Sequence, residues 1–417
     1  MTEERLLGAY RVLDLTDEKG FLCGKMLADL GADVIKLDGP GADSTGNIGP
    51  YCHHAGDTKN PEKSLYWLFF NAGKRSITLD IETEPGRDIF KRLVKTVDIV
   101  VESFPPGYLD SLQLGYSSLK EVNPGLIYTS ITPFGANGPY RDYLATDLVA
   151  TAMSGFMYLT GESDRAPLRI SYPQAYQHAG AQAAVGSLTA LYHREITHEG
   201  QSVDISMQHS MVASTLNAVP FWELNGRILN REGAFRGGLS SSALQRLLWP
   251  CKDGWVSFVV MGGQFGKRTN VNLVEWMGEE GLADDFMKGI DWDAFDMATV
   301  TQEFHDKMES RIQNFFSAHT KQELYDGANQ RQMMLFPVCS PEDIASDSQL
   351  SSREFWVELD YRGNKLRAPG PFIKCSGTPL NLNLKVPCVG EHNQEVYAEQ
   401  MGISSDQLET LKRSGVI

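Results

Sequence analysis

The first chemistry-bearing cluster in the chain is Thr16-Asp17-Glu18-Lys19-Gly20, two carboxylates and an ammonium directly after the apolar run Arg11-Val12-Leu13-Asp14-Leu15. A dinucleotide-binding unit would place a glycine-rich turn here, so that backbone can approach a pyrophosphate closely. Two carboxylates oppose that approach and GxGxxG is absent, which argues against conventional NAD binding. A Walker A loop, a GxSxG elbow and an HExxH pair are absent too. Gly39-Pro40-Gly41 reads as a turn and His53-His54 as a loop pair. His193 and His198 are five apart and sit poorly for sharing a metal on one helical face. The histidines therefore read as surface or structural residues, and no metal site is expected. The 6 cysteines are scattered without a CxxC pair and read as reduced thiols.

The elements that must position such groups alternate in the first 150 residues. Strands are predicted at Arg11–Leu15, Asp33–Leu37, Ser76–Asp80, Asp98–Val101 and Leu126–Ser130. Between them, Leu22, Met26, Leu27 and Leu30 mark one helical face ending at Gly31, and Thr83 and Pro85 mark a helix start. This is the pattern of βαβ units joined into a doubly wound, mostly parallel sheet. From Thr146 to Gly226 the texture is helical, broken by a strand at Ser202–Ser206. A glycine- and serine-rich stretch, 235–242, reads as a mobile loop, followed by a strand at Gly254–Val260 and an acidic helical region.

The chain has 417 residues, 38 Lys plus Arg and 53 Asp plus Glu, for a formal net charge of −15. That length suits two or three packed units, and the acidic balance disfavours a nucleic-acid partner. Without a basic–apolar leader or a long apolar run, the protein is expected in the cytoplasm with no membrane partner.

A series of longer strings resembles the class III CoA-transferase family, which also includes alpha-methylacyl-CoA racemase and carnitine CoA-transferase. They are 28–36 (Ala-Asp-Leu-Gly-Ala-Asp-Val-Ile-Lys), 74–80 (Lys-Arg-Ser-Ile-Thr-Leu-Asp) and 101–107 (Val-Glu-Ser-Phe-Pro-Pro-Gly). The series continues through 123–128, 152–155, 200–204 and the terminal Gly390-Glu391-His392. The strings run in order across nearly the whole chain. The resemblance implies an α/β fold: a Rossmann-like large domain built from both chain ends, residues 1–224 and 331–417, with a small domain at 225–330 and two protomers interlocked like links. It also implies coenzyme A or an acyl-CoA as substrate. Lys74 and Arg75, just before a strand, are then candidates to neutralise the nucleotide phosphates, with a solvated strand edge as the alternative. Ser103 and Phe104 are candidates at the adenine end. Family members commonly carry Asn at the Ser103 position and Arg near Ser111, so CoA binding is expected to be weakened in this chain.

In the transferases of this family an aspartate attacks the acyl-CoA thioester, giving an anhydride that CoA thiolate reopens to an aspartyl-CoA thioester. The resemblance places that nucleophile at or beside Tyr176, within Ala175-Tyr176-Gln177-His178, and no Asp or Glu occurs from Arg165 to Arg194. A phenol, with an ordinary pKa near 10, does not reproduce anhydride chemistry. His178 reads as a base or as a polar residue at a helix start. The racemase branch uses a His-Asp pair where this chain has Thr146-Asp147, so the proton-shuttling histidine is missing. Asp147 is the fallback acid, with helix stabilisation its plainer role. The expectation is a non-catalytic subunit paired with a paralogue that carries the aspartate. The alternatives are a self-sufficient transferase using another residue and an acyl-CoA-binding protein without turnover.

Overall fold

The computed structural model of the chain describes residues 5–41, 49–51, 64–237, 243–361, 364–380 and 382–417. His53-His54, Cys52 and residues 238–242 of the glycine- and serine-rich stretch lie outside them. The strands β1 (Arg11–Leu15), β2 (Asp33–Asp38), β3 (Arg75–Thr78), β4 (Ile99–Glu102), β5 (Ile127–Thr132) and β6 (Ser202–Ser206) form one sheet in the order β3-β2-β1-β4-β5-β6. All neighbours are parallel, with Val12 beside both Val34 and Ile99.

The strands are apolar on both faces because helices cover both. Leu13, Ile35, Ile77 and Val100 face a layer that includes the helix α3 (Glu84–Val94) and the C-terminal residues Tyr397, Leu408 and Ile417. Val12, Val34, Ile99 and Ile127 face the helix α1 (Phe21–Asp29) and the long helix Ala175–Thr197. The predicted helix punctuation holds: Thr83 caps α3 by accepting from Gly86 N, and Gly31 follows α1 at φ +99°.

Both chain ends do build the large unit. Tyr397 Oη donates to Thr78 O at 2.8 Å, His392 Nδ1 accepts from Ser76 N at 3.1 Å, and Asp80 N donates to Val416 O at 2.8 Å. The terminal Gly390-Glu391-His392 string thus seals the exposed edge of β3.

The chain divides into a larger unit, Met1–Phe156 with Arg169–Gly226 and Gln349–Ile417, and a smaller one, Met157–Leu168 with Arg227–Ser348. The return to the larger unit thus falls at 349 rather than 331. In the smaller unit Phe235–Arg236 (β7) pairs with Gln245–Arg246 (β8), so the start of the expected loop is strand. β9 (Leu248–Cys251), β10 (Gly254–Phe258) and β11 (Leu335–Pro337) form an antiparallel sheet over a core of Trp249, Phe258, Phe315 and Phe316. The pairing of β11 with β10 keeps the chain in this unit beyond residue 330. No helix among the described residues is long and apolar enough to cross a membrane.

Candidate functional site

The strand order reverses direction between β1 and β4, and in open parallel sheets ligands bind at the carboxyl ends of the strands at this switch point. The loops leaving β1 and β4 meet there. Asp17 N donates to Ser103 Oγ at 2.9 Å, and Ser103 Oγ donates to Asp17 Oδ1 at 2.8 Å. Lys19 pairs with the other oxygen of Asp17. Beside this closure opens a cavity of about 350 Å³, walled by Lys19, Ser103, Phe104, Pro105, Tyr143 and Val149 among others. The Phe104 ring lies 4.9 Å from that of Tyr108 and supplies an aromatic wall.

Pro105 and Pro106 also line a second cavity of about 300 Å³, with Glu102, Tyr128, Asp204 and Arg141. Burial pushes the Glu102 carboxyl up to about 7, against the hydrogen bonds it accepts. Arg141 Nε is buried without a hydrogen-bond partner among the described residues. Gly107, at φ +84°, admits the Arg141 guanidinium, since a Cβ there would sit 3.1 Å from Nη2.

The two cations expected at a phosphate are placed otherwise. Lys74 is buried with its side chain fully covered, and its Nζ lies 2.8 Å from Asp14 Oδ2 and 3.1 Å from Asn71 Oδ1. Burial opposes the Asp14 charge, but Lys74, Lys36 and Thr16 outweigh it and hold the carboxyl below its usual range. Gly24 in the middle of α1 makes room for this pair: a Cβ there would lie 2.1 Å from Asp14 Oδ2. Arg75 grips Asp33 through Nε and Nη2 and reaches Glu395 at 3.0 Å through Nη1. Neither cation is presented to a bound phosphate in this arrangement, because acidic partners from the fold already engage both.

Tyr176 stands in the first turn of the Ala175–Thr197 helix, 9% exposed. That helix has no side-chain cap of its own at Gln174. Asp147, in the first turn of the helix Asp147–Met153, supplies one from outside, accepting Tyr176 N at 3.3 Å. Burial raises the Asp147 carboxyl while the backbone donors of Tyr176, Ala175 and Gln174 oppose the rise. Asp147 therefore stabilises a helix start as expected, and that of the long helix as well as its own. Burial, with help from the carboxylates of Glu18 and Asp147, pushes the Tyr176 phenol up to about 12. His178, one position beyond Gln177, meets Ser214 Oγ through Nδ1 at 3.2 Å.

Two neighbours were not assigned to this corner by the sequence, Tyr66 and Glu18. Gln177 Nε2 donates to Tyr66 Oη at 3.1 Å, and the Tyr66 ring lies 5.9 Å from Tyr172. Tyr66 belongs to the helix α2 (Leu65–Asn71), an apolar run in which nothing distinguishes it from core. Glu18 is half-buried, and burial and Asp17 raise its carboxyl. α1 and the long helix cross closely, with Gly180 against Leu22, and the Glu18 charge acts on Tyr176.

A family model described as CoA-transferase family III matches residues 7–393. The chain is 34% identical to succinyl-CoA:(R)-benzylsuccinate CoA-transferase subunit BbsE of Thauera aromatica, over 98% of this chain and 97% of that one. It is 32% identical to formyl-CoA:oxalate CoA-transferase of Streptomyces avermitilis, over 99% of this chain and 100% of that one. A solved CaiB/BaiF family protein from Brucella suis superposes with a TM-score of 0.80 at 28% identity, covering 95% of this chain and 100% of that one.

Proposed function

The chain belongs to CoA-transferase family III, and from that premise we propose that it is the non-catalytic subunit of a two-chain enzyme. In this reading the enzyme moves CoA from succinyl-CoA to an aromatic dicarboxylic acid of the (R)-benzylsuccinate type. The observation that carries it is the corner around Tyr176. Where the family resemblance puts a nucleophilic aspartate, the chain has a buried phenol held neutral, and Asp147 is occupied with backbone donors. The relative named as a subunit of a benzylsuccinate enzyme aligns end to end with this chain and supports the donor and acceptor.

The paralogous partner would carry the carboxylate. That carboxylate attacks the thioester carbonyl and expels CoA thiolate, which returns on the partner's own carbonyl of the anhydride, releases the donor as free succinate and leaves CoA on the partner's side chain for transfer to the acceptor. This chain contributes the frame of an interlocked heterodimer working in the cytoplasm. The helix Ala218–Asn225 has no buried residue, with Trp222 54% and Leu224 84% exposed, and Tyr192 and Ile196 stand out from the long helix. Apolar surface of this extent is what a partner covers. With Lys74 and Arg75 engaged and Asp17 bonded to Ser103, this chain holds CoA weakly. Phe104 still offers adenine a surface.

One observation favours a second reading, a self-sufficient transferase. Glu18 is a carboxylate facing the same corner, and its charge acts on both Tyr66 and Tyr176. Intact-subunit masses after incubation with succinyl-CoA decide between them, on protein purified through a tagged chain from its native host. An acyl or CoA adduct on a co-purifying second chain alone is the expected result. An adduct on this chain that disappears in Glu18→Gln would overturn the non-catalytic assignment.

A further inference from the structure

Helix Gln302–Ala318 of the smaller unit carries His305, Asp306 and Glu309, whose ligand atoms all lie within 4.8 Å of one another. We infer that these three residues form a binding site for one divalent cation of the zinc type.

The observation that points to a ligand is His305. It is 1% exposed, and neither ring nitrogen has a hydrogen-bond partner among the described residues. A buried polar group without a partner is costly, so an imidazole orphaned at both nitrogens calls for something bound. Burial favours its neutral form, the form whose lone pair coordinates a metal. Glu309 is one helical turn away and 8% exposed, with Oε1 3.2 Å from Nδ1. That distance suits a hydrogen bond, yet the ring N–H direction does not make one. It equally suits two neighbouring ligands of one ion, since bonds of about 2.1 Å at tetrahedral or octahedral angles separate donors by roughly 3.0–3.4 Å. A cation beside the N···O line would take both atoms.

The carboxylates are also held from behind, as metal-ligating carboxylates are. Gln302 Nε2 donates to Asp306 Oδ1 at 2.7 Å, Leu244 N donates to Gln302 Oε1 at 2.7 Å, and Arg246 N donates to Glu309 Oε1 at 2.7 Å. The guanidinium of Arg246 lies 3.9 Å from Glu309 Oε2 and stacks over Phe235. Of the two carboxylates, Glu309 faces the fixed Arg246 guanidinium, which leaves negative charge for a metal to neutralise. An imidazole with two carboxylates suits zinc, cobalt or nickel better than calcium or magnesium, which prefer all-oxygen shells. The ion would fasten the first turns of the helix to the Leu244–Arg246 segment. This departs from the sequence-based expectation that the histidines are structural and that no metal is bound.

The test is titration of chelator-treated full-length protein with CoCl2, read by visible absorption, followed by displacement with ZnCl2. One equivalent of Co²⁺ giving a ligand-field spectrum, released by Zn²⁺, is expected. Asp306→Asn, at an exposed position, should keep the circular dichroism of the parent and weaken Co²⁺ binding about tenfold or more. His305→Gln should abolish the spectrum. Absence of the spectrum in the parent protein, or an unchanged titration in Asp306→Asn and His305→Gln, would overturn the site.

Discussion

On the β1–β3 side of the crevice, Asp14 and Lys74 face each other at 2.8 Å with no exposed side-chain surface. On the β4–β5 side, Glu102 and Arg141 line an open cavity of about 300 Å³, and Arg141 Nε has no hydrogen-bond partner among the described residues. The same residue classes serve opposite ends. Charges on the first side are matched within the fold, so they hold strands and α1 together. On the second side Glu102 accepts hydrogen bonds while Arg141 Nε makes none among the described residues, so the guanidinium is the group a ligand would complete. A cation next to a strand end in the sequence does not reveal which of the two it is, because the deciding partner, Asp14 for Lys74, is 60 positions away.

The largest effect that would test this division is removal of Lys74. Lys74→Ala leaves Asp14 buried without its direct ion-pair partner, and is expected to cost about 3–5 kcal/mol in urea unfolding. Replacing both members, as Asp14→Asn with Lys74→Met, should recover a large part of that loss. The folded pKa of Asp14 is depressed, so its contribution is complete above the unfolded carboxylate range and is lost as pH falls through the folded value. If Lys74→Ala unfolded with the parent and instead lost CoA affinity, the first side would be a ligand surface after all.

Glu102 should behave in the opposite sense. Its folded pKa is raised to about 7, so the native state binds the extra proton between the unfolded carboxylate value and about 7. Stability from this group is therefore present at low pH and lost as pH rises through that interval. Glu102→Gln is expected to stabilise the protein by up to about 3 kcal/mol at pH 8, at 1.36 kcal/mol per pKa unit, and by little at pH 5. Parallel urea curves at the two pH values check it. Equal effects at both would place Glu102 among the matched charges of the first side.

Arg75 is intermediate, since its pairs with Asp33 and Glu395 keep some solvent contact. Arg75→Ala should cost about 1 kcal/mol, with most of the effect removed by high salt.

Much of the fold was legible because apolar runs and punctuation repeat locally. β1 and β6 fall at the predicted residues, and β2, β4 and β5 shift by one or two positions at their ends. β3 begins at Arg75 and ends at Thr78 rather than spanning 76–80, because the chain leaves the ladder to dock Asp80 on Val416. The site was less legible. Phe104 and Ser103 do sit at the switch point, since their string directly follows β4. Arg141 and Tyr66 gave no signal, as one lies in a polar loop and the other in an apolar helix. Asp147 was read as a helix-stabilising acid from its place in a first turn, which holds, and its second role at the long helix depends on a contact 29 positions away.

Arg141 gives the smallest expected change in stability and the sharpest reading of the second side. Its side chain is 43% exposed, and its ion pair with Asp142 is loose at 3.9 Å. Arg141→Gln should therefore shift unfolding by no more than about 0.5 kcal/mol. A charge-assisted hydrogen bond to a phosphate contributes about 1.5–3 kcal/mol, so the same substitution should weaken CoA binding roughly tenfold or more. Calorimetry of the assembled enzyme with CoA and with dephospho-CoA measures this. Equal losses for both ligands would put Arg141 at the pyrophosphate, and a loss confined to CoA would put it at the 3′-phosphate. Unchanged affinity for both would mean that Arg141, like Lys74, serves only the fold, and the contrast between the two sides of the crevice would fail.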